Sequence, residues 1–252
     1  MDRKKKKYLR GILFRHLDGI ALCGTISALN YQGITKFLQE NPSFSIKELI
    51  SKFECNAGYL NVSLRLLSSQ GWLKQNIIVD GEDIEYTQTK KGFVSLSLSH
   101  HYDAFTKLIP ILINIDRHLF SPNSQLEQRG FEELINRLNS FNSKHSNPDT
   151  PGWEIGRHLE GILLGPILVS LGMSDFFLEY IDTNHGIEDN YIGDNMPFLK
   201  SIVDYFHTLG WVEYTEDKTN FTDEGIFFLK RSTAYGVTVS YLPTFLQVSK
   251  LL

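Results

Sequence analysis

The chain has 252 residues, 42% of them hydrophobic, 21% charged and 12% aromatic, with 19 Gly and 8 Pro; the length suits two domains of roughly 100 to 200 residues each, and the composition excludes collagen-like, low-complexity and wholly disordered classes. The net charge of −4 gives no whole-molecule attraction to nucleic acid, but it is uneven, at +5 over residues 1–100, −1 over 101–152 and −8 over 153–252. Two cysteines, Cys23 and Cys55, make neither a disulfide framework nor a zinc spacing, so reduced thiols in the cytoplasm are expected.

The basic run Arg3 to Lys7 has the composition of a nuclear signal or a nucleic-acid arm; a solvated terminus is the simpler reading. The apolar stretch Gly11 to Leu29 is interrupted by Arg15, His16 and Asp18, which argues against a signal peptide. Runs elsewhere, such as Ile109 to Ile113, are far short of the roughly 20 residues that span a bilayer. No transmembrane helix is expected. The stretch Leu9 to Leu29 instead predicts a buried helix, followed by a short amphipathic one over Ile34 to Gln39. Ser45-Ile46-Lys47-Glu48 is a capping box opening a helix over Ile46 to Phe53. Leu60, Leu64 and Leu67 share a helix face over Gly58 to Ser69, stopped before Gly71. Two β-prone segments, Trp72 to Val79 and Ile84 to Thr87, flank an Asp80-Gly81 turn.

Residues 98–152 predict an apolar helix over Phe105 to Phe120, an amphipathic helix over Phe131 to Phe141, and a linker over Asn142 to Pro151. Beyond it the first pattern returns. Arg15-His16-Leu17-Asp18-Gly19-Ile20 is echoed by Arg157-His158-Leu159-Glu160-Gly161-Ile162 at an offset of 142. Gly58-Tyr59-Leu60 to Trp72-Leu73 is echoed by Pro197-Phe198-Leu199 to Trp211-Val212 at 139, and Thr89-Lys90-Lys91-Gly92 by Thr222-Asp223-Glu224-Gly225 at 133. Three blocks in one order with shrinking offsets are two copies of one unit, the second with shorter loops. In the second copy, helices are expected over Trp153 to Leu171 and Asp175 to Ile181, and another around Phe198, Ile202, Tyr205 and Phe206. A hairpin is expected over Val212 to Thr215 and Thr219 to Phe221, turned by Glu216-Asp217-Lys218. The Gly186 to Asp194 region reads as a loop. Helices followed by a hairpin form a winged helix. The fold expected is mainly α with short β-hairpins: winged-helix repeats at 1–97 and 153–252, joined by a helical bridge at 98–152.

A winged helix suggests sequence-specific DNA binding, with Asn56, Asn61, Ser63 and Arg65 offered to base edges. Several features oppose it. Arg65 is the one cation on that helix, and its counterpart carries Asp204 and Lys200 inside the −8 segment. His100-His101 resembles a metal pair, but adjacent helical residues face different ways, so surface histidines are expected. Asp18 and Glu160 occupy equivalent positions and are expected to pair with Arg15 and Arg157, not to act as an acid/base dyad. No Gly-x-Gly-x-x-Gly, Walker, Gly-x-Ser-x-Gly or His-Glu-x-x-His pattern occurs. Neither catalytic nor metal residues are assigned.

The Leu-rich helix with Leu64-Arg65-Leu66-Leu67 before Gly71-Trp72, and the Thr-x-x-Gly after the wing, resemble the N-terminal winged-helix domain of S-adenosylmethionine-dependent methyltransferases, which dimerises and lids the active site in many O-methyltransferases. The end of the chain, Gly236-Val237-Thr238-Val239-Ser240-Tyr241-Leu242-Pro243-Thr244-Phe245 running to Leu251-Leu252, is similar to the connector before the catalytic domain in loading-module methyltransferases of polyketide synthases of the apratoxin type. That resemblance implies a lid and scaffold region, here a fragment of a longer enzyme. S-adenosylmethionine would be bound by a following methyltransferase core. It implies methyl transfer to an acyl group, a malonyl-type starter on an acyl carrier protein, and allows a homodimer. Tyr241, Leu242 and Pro243 are the expected contacts with the core. The family's cofactor loop has no counterpart here, so no cofactor residue carries over. The alternative is a two-winged-helix transcriptional regulator.

Overall fold

A computed structural model of the chain describes residues 1–79, 83–174, 187–188, 196–215 and 218–252. The expected helix over Asp175 to Ile181, most of the Gly186 to Asp194 region, Asp80-Gly81 of the first hairpin turn and Glu216-Asp217 of the second lie outside these.

Helix α1 spans Arg3–Tyr31, opened by the Asp2 carboxylate, which accepts from the Lys5 N–H at 2.7 Å. It begins earlier than its apolar face requires, because the lysine run contains no breaker. By length and hydropathy α1 could cross a membrane, but 67% of its apolar window is buried inside the protein. Gly33, in the left-handed region at φ 75°, turns the chain into α2 (Ile34–Glu40). Strand β1 (Ser43–Ser45) leads into α3 (Ile46–Phe53), where the Glu48 N–H donates to the predicted Ser45 cap.

Helix α4 (Ala57–Ser69) buries Leu60, Leu64 and Leu67 and stops at Gly71, φ 70°. Strands β2 (Leu73–Val79) and β3 (Asp83–Gln88) pair antiparallel, and β1 adds to β3 with Phe44 opposite Tyr86, in the order β1-β3-β2. The second repeat copies this plan. In it, α10 (Pro197–Thr208) ends at Gly210, φ 71°, and β5 (Val212–Tyr214) pairs with β6 (Lys218–Phe221), which also pairs with β4 (Ile187–Glu188).

The Thr-x-x-Gly motif has the same job twice. The hydroxyls of Thr89 and Thr222 donate to the carbonyls of Gly71 and Gly210, both at 2.7 Å, and accept from the N–H groups of Gly92 and Gly225. They thereby open α5 (Lys90–Ser97) and α11 (Asp223–Leu229) against their wings. A Cβ on Gly92 or Gly225 would collide with the backbone of Trp72 or Trp211.

The bridge departs from expectation. The single helix over Phe105 to Phe120 is two, α6 (His101–Leu112) and α7 (Asp116–Leu119). The Asn114 side chain donates to the Pro110 carbonyl, which a continuing helix would give to the Asn114 N–H, and that N–H turns to Ile111. Helix α8 is longer than predicted, Gln125–Lys144, so it absorbs the start of the linker. Thr150 then caps α9 (Pro151–Gly172). Helix α12 (Ser232–Ser240) is the counterpart of α6, with Tyr235 matching Tyr102 at the offset of 133, and both pack on α1 and α9. Short helices α13 (Leu242–Phe245) and α14 (Val248–Leu251) return along α1. One continuous apolar core runs through both repeats and the bridge.

Candidate functional site

The two copies of Arg-His-Leu-acid-Gly meet where α1 crosses α9, the most extensive helix contact among the described residues. Each glycine lies on the backbone of the other copy's histidine. A Cβ on Gly19 would be 2.5 Å from the His158 carbonyl carbon, and one on Gly161 would be 2.7 Å from that of His16. The crossing brings a polar cluster into the centre of the core.

His16 is fully buried, and burial pushes its imidazole below the ordinary value, with Glu160 opposing the shift. A neutral ring has one donor and one acceptor. Since the carboxylate only accepts, Nε2–H donates to Glu160 Oε2 at 3.0 Å and Nδ1 accepts from the Tyr235 hydroxyl at 2.8 Å. Arg157 holds the same carboxylate at 3.1 Å. On the other side His158 meets Tyr102 Oη at 2.6 Å, but its Nε2 has no hydrogen-bond partner among the described residues. Burial first, then the charges of Arg15, Lys91 and His16, hold His158 down at about 3. Asp18, one methylene shorter than its counterpart Glu160, pairs with Arg15 at 3.2 Å. The expected Arg15–Asp18 and Arg157–Glu160 pairs are both present. Sealed from solvent, His16 and His158 serve to hold the crossing together. Tyr102 and Tyr235 were not singled out by sequence reasoning; their shared offset with the Thr-x-x-Gly block was the available signal.

The proposed DNA-reading residues are dispersed. Asn56 caps α4, accepting from the N–H groups of Gly58 and Tyr59 at 3.0 and 3.2 Å. Asn61 accepts from Tyr86 Oη at 3.4 Å. Ser63 is buried and donates to the Tyr59 carbonyl at 2.9 Å, so it cannot present itself to a base edge. Arg65 is exposed. The Asn56 N–H itself donates to the Leu252 carbonyl at 2.9 Å, so the end of the chain sits on the start of the helix that would enter a major groove.

Of the expected connector contacts, Tyr241 is 54% exposed and Pro243 is also exposed, whereas Leu242 is fully buried in this chain's own core. The carbonyl carbon of Phe245 would lie 2.7 Å from a Cβ on Gly24, so α13 rests directly on α1. His100 is exposed as expected, but His101 is half-buried against Phe141, with ring centres 4.8 Å apart. Among the described residues no group of three or more His, Cys, Asp or Glu side chains could hold a metal.

Residues 9–75 match the family described as the AprA N-terminal domain, and residues 160–252 match the AprA winged helix domain. The first match runs from within α1 into β2, and the second from within α9 to the last helix. No curated protein matches the sequence. The sequence is thus similar to an AprA N-terminal domain over residues 9–75 and to an AprA winged helix domain over residues 160–252.

Proposed function

We propose that this region is the non-catalytic lid and scaffold of an S-adenosylmethionine-dependent methyltransferase of polyketide biosynthesis, with the methyltransferase core as its intramolecular partner. The observation that carries the proposal is the anchoring of the C-terminal connector. Leu242 is buried, α13 lies on Gly24, and the Leu252 carbonyl accepts from Asn56. A domain joined there would start from a fixed point on the body. Among the described residues the strands pair antiparallel, and none feeds a glycine-rich turn into a helix, which supports assigning the cofactor to the core.

In this reading the region closes over the core, excludes water and shapes the pocket, while a malonyl-type acyl group arrives on an acyl carrier protein. The reduced thiols Cys23 and Cys55 suit the cytoplasm. The test has two arms. The reading frame is followed past Leu252 for an apolar strand and glycine-rich loop, and the purified chain is titrated with S-adenosylmethionine and with duplex DNA at two salt concentrations. A core downstream and no binding of either ligand support the proposal. Absence of a core together with tight, salt-dependent DNA binding overturns it in favour of a regulator.

A further inference from the structure

A cleft of about 640 Å³ opens between α6, α8 and α9, in the size range of small-molecule sites. Its base is apolar, formed by Phe105, Phe141 and Leu159, all buried. One wall is a row of rings: His100 to His101 at 4.1 Å between centres, His101 to Phe141 at 4.8 Å, and Phe141 to His145 at 4.4 Å. Three of those four rings are imidazoles. Lys144 and Arg137 complete the rim. The carboxylate lining the cleft, Glu133, is engaged by Arg137 through an i,i+4 pair on α8. Among the described residues lining the cleft, Glu133 is the one carboxylate.

We propose that this cleft binds a small organic anion, with its acid group on the His100, His101, His145 and Lys144 rim and its apolar body on Phe105, Phe141 and Leu159. The inference is independent of the methyltransferase reading. Charge complementarity selects the acid, because an acid group there would form charge-assisted contacts. The apolar base selects the body. The environment of His101 agrees with this. Burial, then His100, His145 and Lys144, hold it down at about 4. A bound anion would raise it.

Octanoate, octyl phosphate and octanol are titrated into the full chain, with the His101 ring followed by NMR. The two anions are expected to saturate, the tighter one identifying the head group, and to weaken as salt rises, because Lys144 supplies a fixed charge at the rim. The His101 titration should move upward in the bound state. The double variant H101Q/K144Q should weaken octanoate binding about tenfold with an unchanged unfolding midpoint. Lys144 is exposed, so K144Q alone serves if the double variant fails to fold. Octanol binding as well as octanoate, no saturation by about 10 mM anion, or unchanged binding in the variants would overturn the proposal.

Discussion

Of the three glycines in helix α1, Gly11 and Gly19 should respond to alanine in opposite directions. Gly11 is exposed, with nothing within 4 Å of a Cβ built on it. Gly11→Ala should therefore gain helix propensity alone, about 0.5 to 1 kcal/mol. At Gly19 the same methyl group would sit 2.5 Å from the His158 carbonyl carbon. Carbon atoms settle at about 3.5 Å or more, so α9 must retreat by about 1 Å. Overpacking of this kind costs about 1 to 3 kcal/mol. The same retreat stretches the His16–Glu160 bond beyond its 3.0 Å, and an unmade buried hydrogen bond costs about 1 to 3 kcal/mol more. Against the propensity gain, the net loss for Gly19→Ala is about 1 to 5 kcal/mol. Gly161→Ala should behave alike, and the double variant should lose less than the sum, because the first methyl opens the crossing for the second. Urea unfolding followed by circular dichroism measures all four proteins. In a chain of this size each kcal/mol also moves the melting point by about 2 to 4 °C. Equal stabilisation by Gly11→Ala and Gly19→Ala would show that the helices do not touch at Gly19 and refute the reasoning.

Glu160→Gln keeps an acceptor for His16 but leaves Arg157 without its charge partner, and should cost about 3 kcal/mol in the same assay. Asp18→Glu should supply the carboxylate that His158 Nε2 lacks, raising stability or lifting the His158 titration above about 3; NMR of the ring would detect either. Acid should weaken the fold. The unfolded histidines take up protons as pH falls through 6.5, whereas buried His158 resists to about 3 and His16 is lowered too. The unfolded state thus binds more protons in that window, and stability declines by up to about 1.4 kcal/mol per pH unit per histidine. Unfolding at a series of pH values should show that slope, and His158→Gln should flatten it. Gly24→Ala should lift α13 from α1, seen as faster proteolytic release of the C-terminal segment with the remainder intact.

The repeat was legible because identical short motifs survive in both copies, whereas the purpose of those motifs needed the three-dimensional crossing. Gly19 and Gly161 look like ordinary helix glycines until each is set against the opposite histidine's backbone. Ser63 is different. It lies three residues after Leu60 and one before Leu64, so the periodicity that marks the apolar stripe already turns it inward, and offering it to DNA went against that pattern. The break between α6 and α7 depended on one asparagine side chain competing for the Pro110 carbonyl, a local choice that the apolar pattern does not encode. The histidine cleft combined residues far apart in sequence, and only His100-His101 gave it away.

Charge divergence between the copies explains why the two halves pair with each other. Lys91 and Glu224 are equivalent positions at the offset of 133, and each reaches across to the other repeat: Lys91 to Glu154 at 2.6 Å, and Glu224 to Lys5 at 2.8 Å. Arg15 joins Glu154 at 2.9 Å, and the terminal amine meets Asp223 at 3.1 Å. In every case the first repeat supplies the cation and the second the anion. Partly exposed pairs of this kind contribute only about 0 to 1 kcal/mol each, so stability is not their main effect. Two copies of the second repeat placed in the same arrangement would set Glu224 against an acidic helix start, and two copies of the first would set Lys91 against a basic one. Like-charge contacts of that sort penalise the homotypic arrangements and leave the heterotypic one favoured. The uneven charge of the sequence is therefore a pairing code between the halves, written on the rim of a crossing that Gly19 and Gly161 already make close.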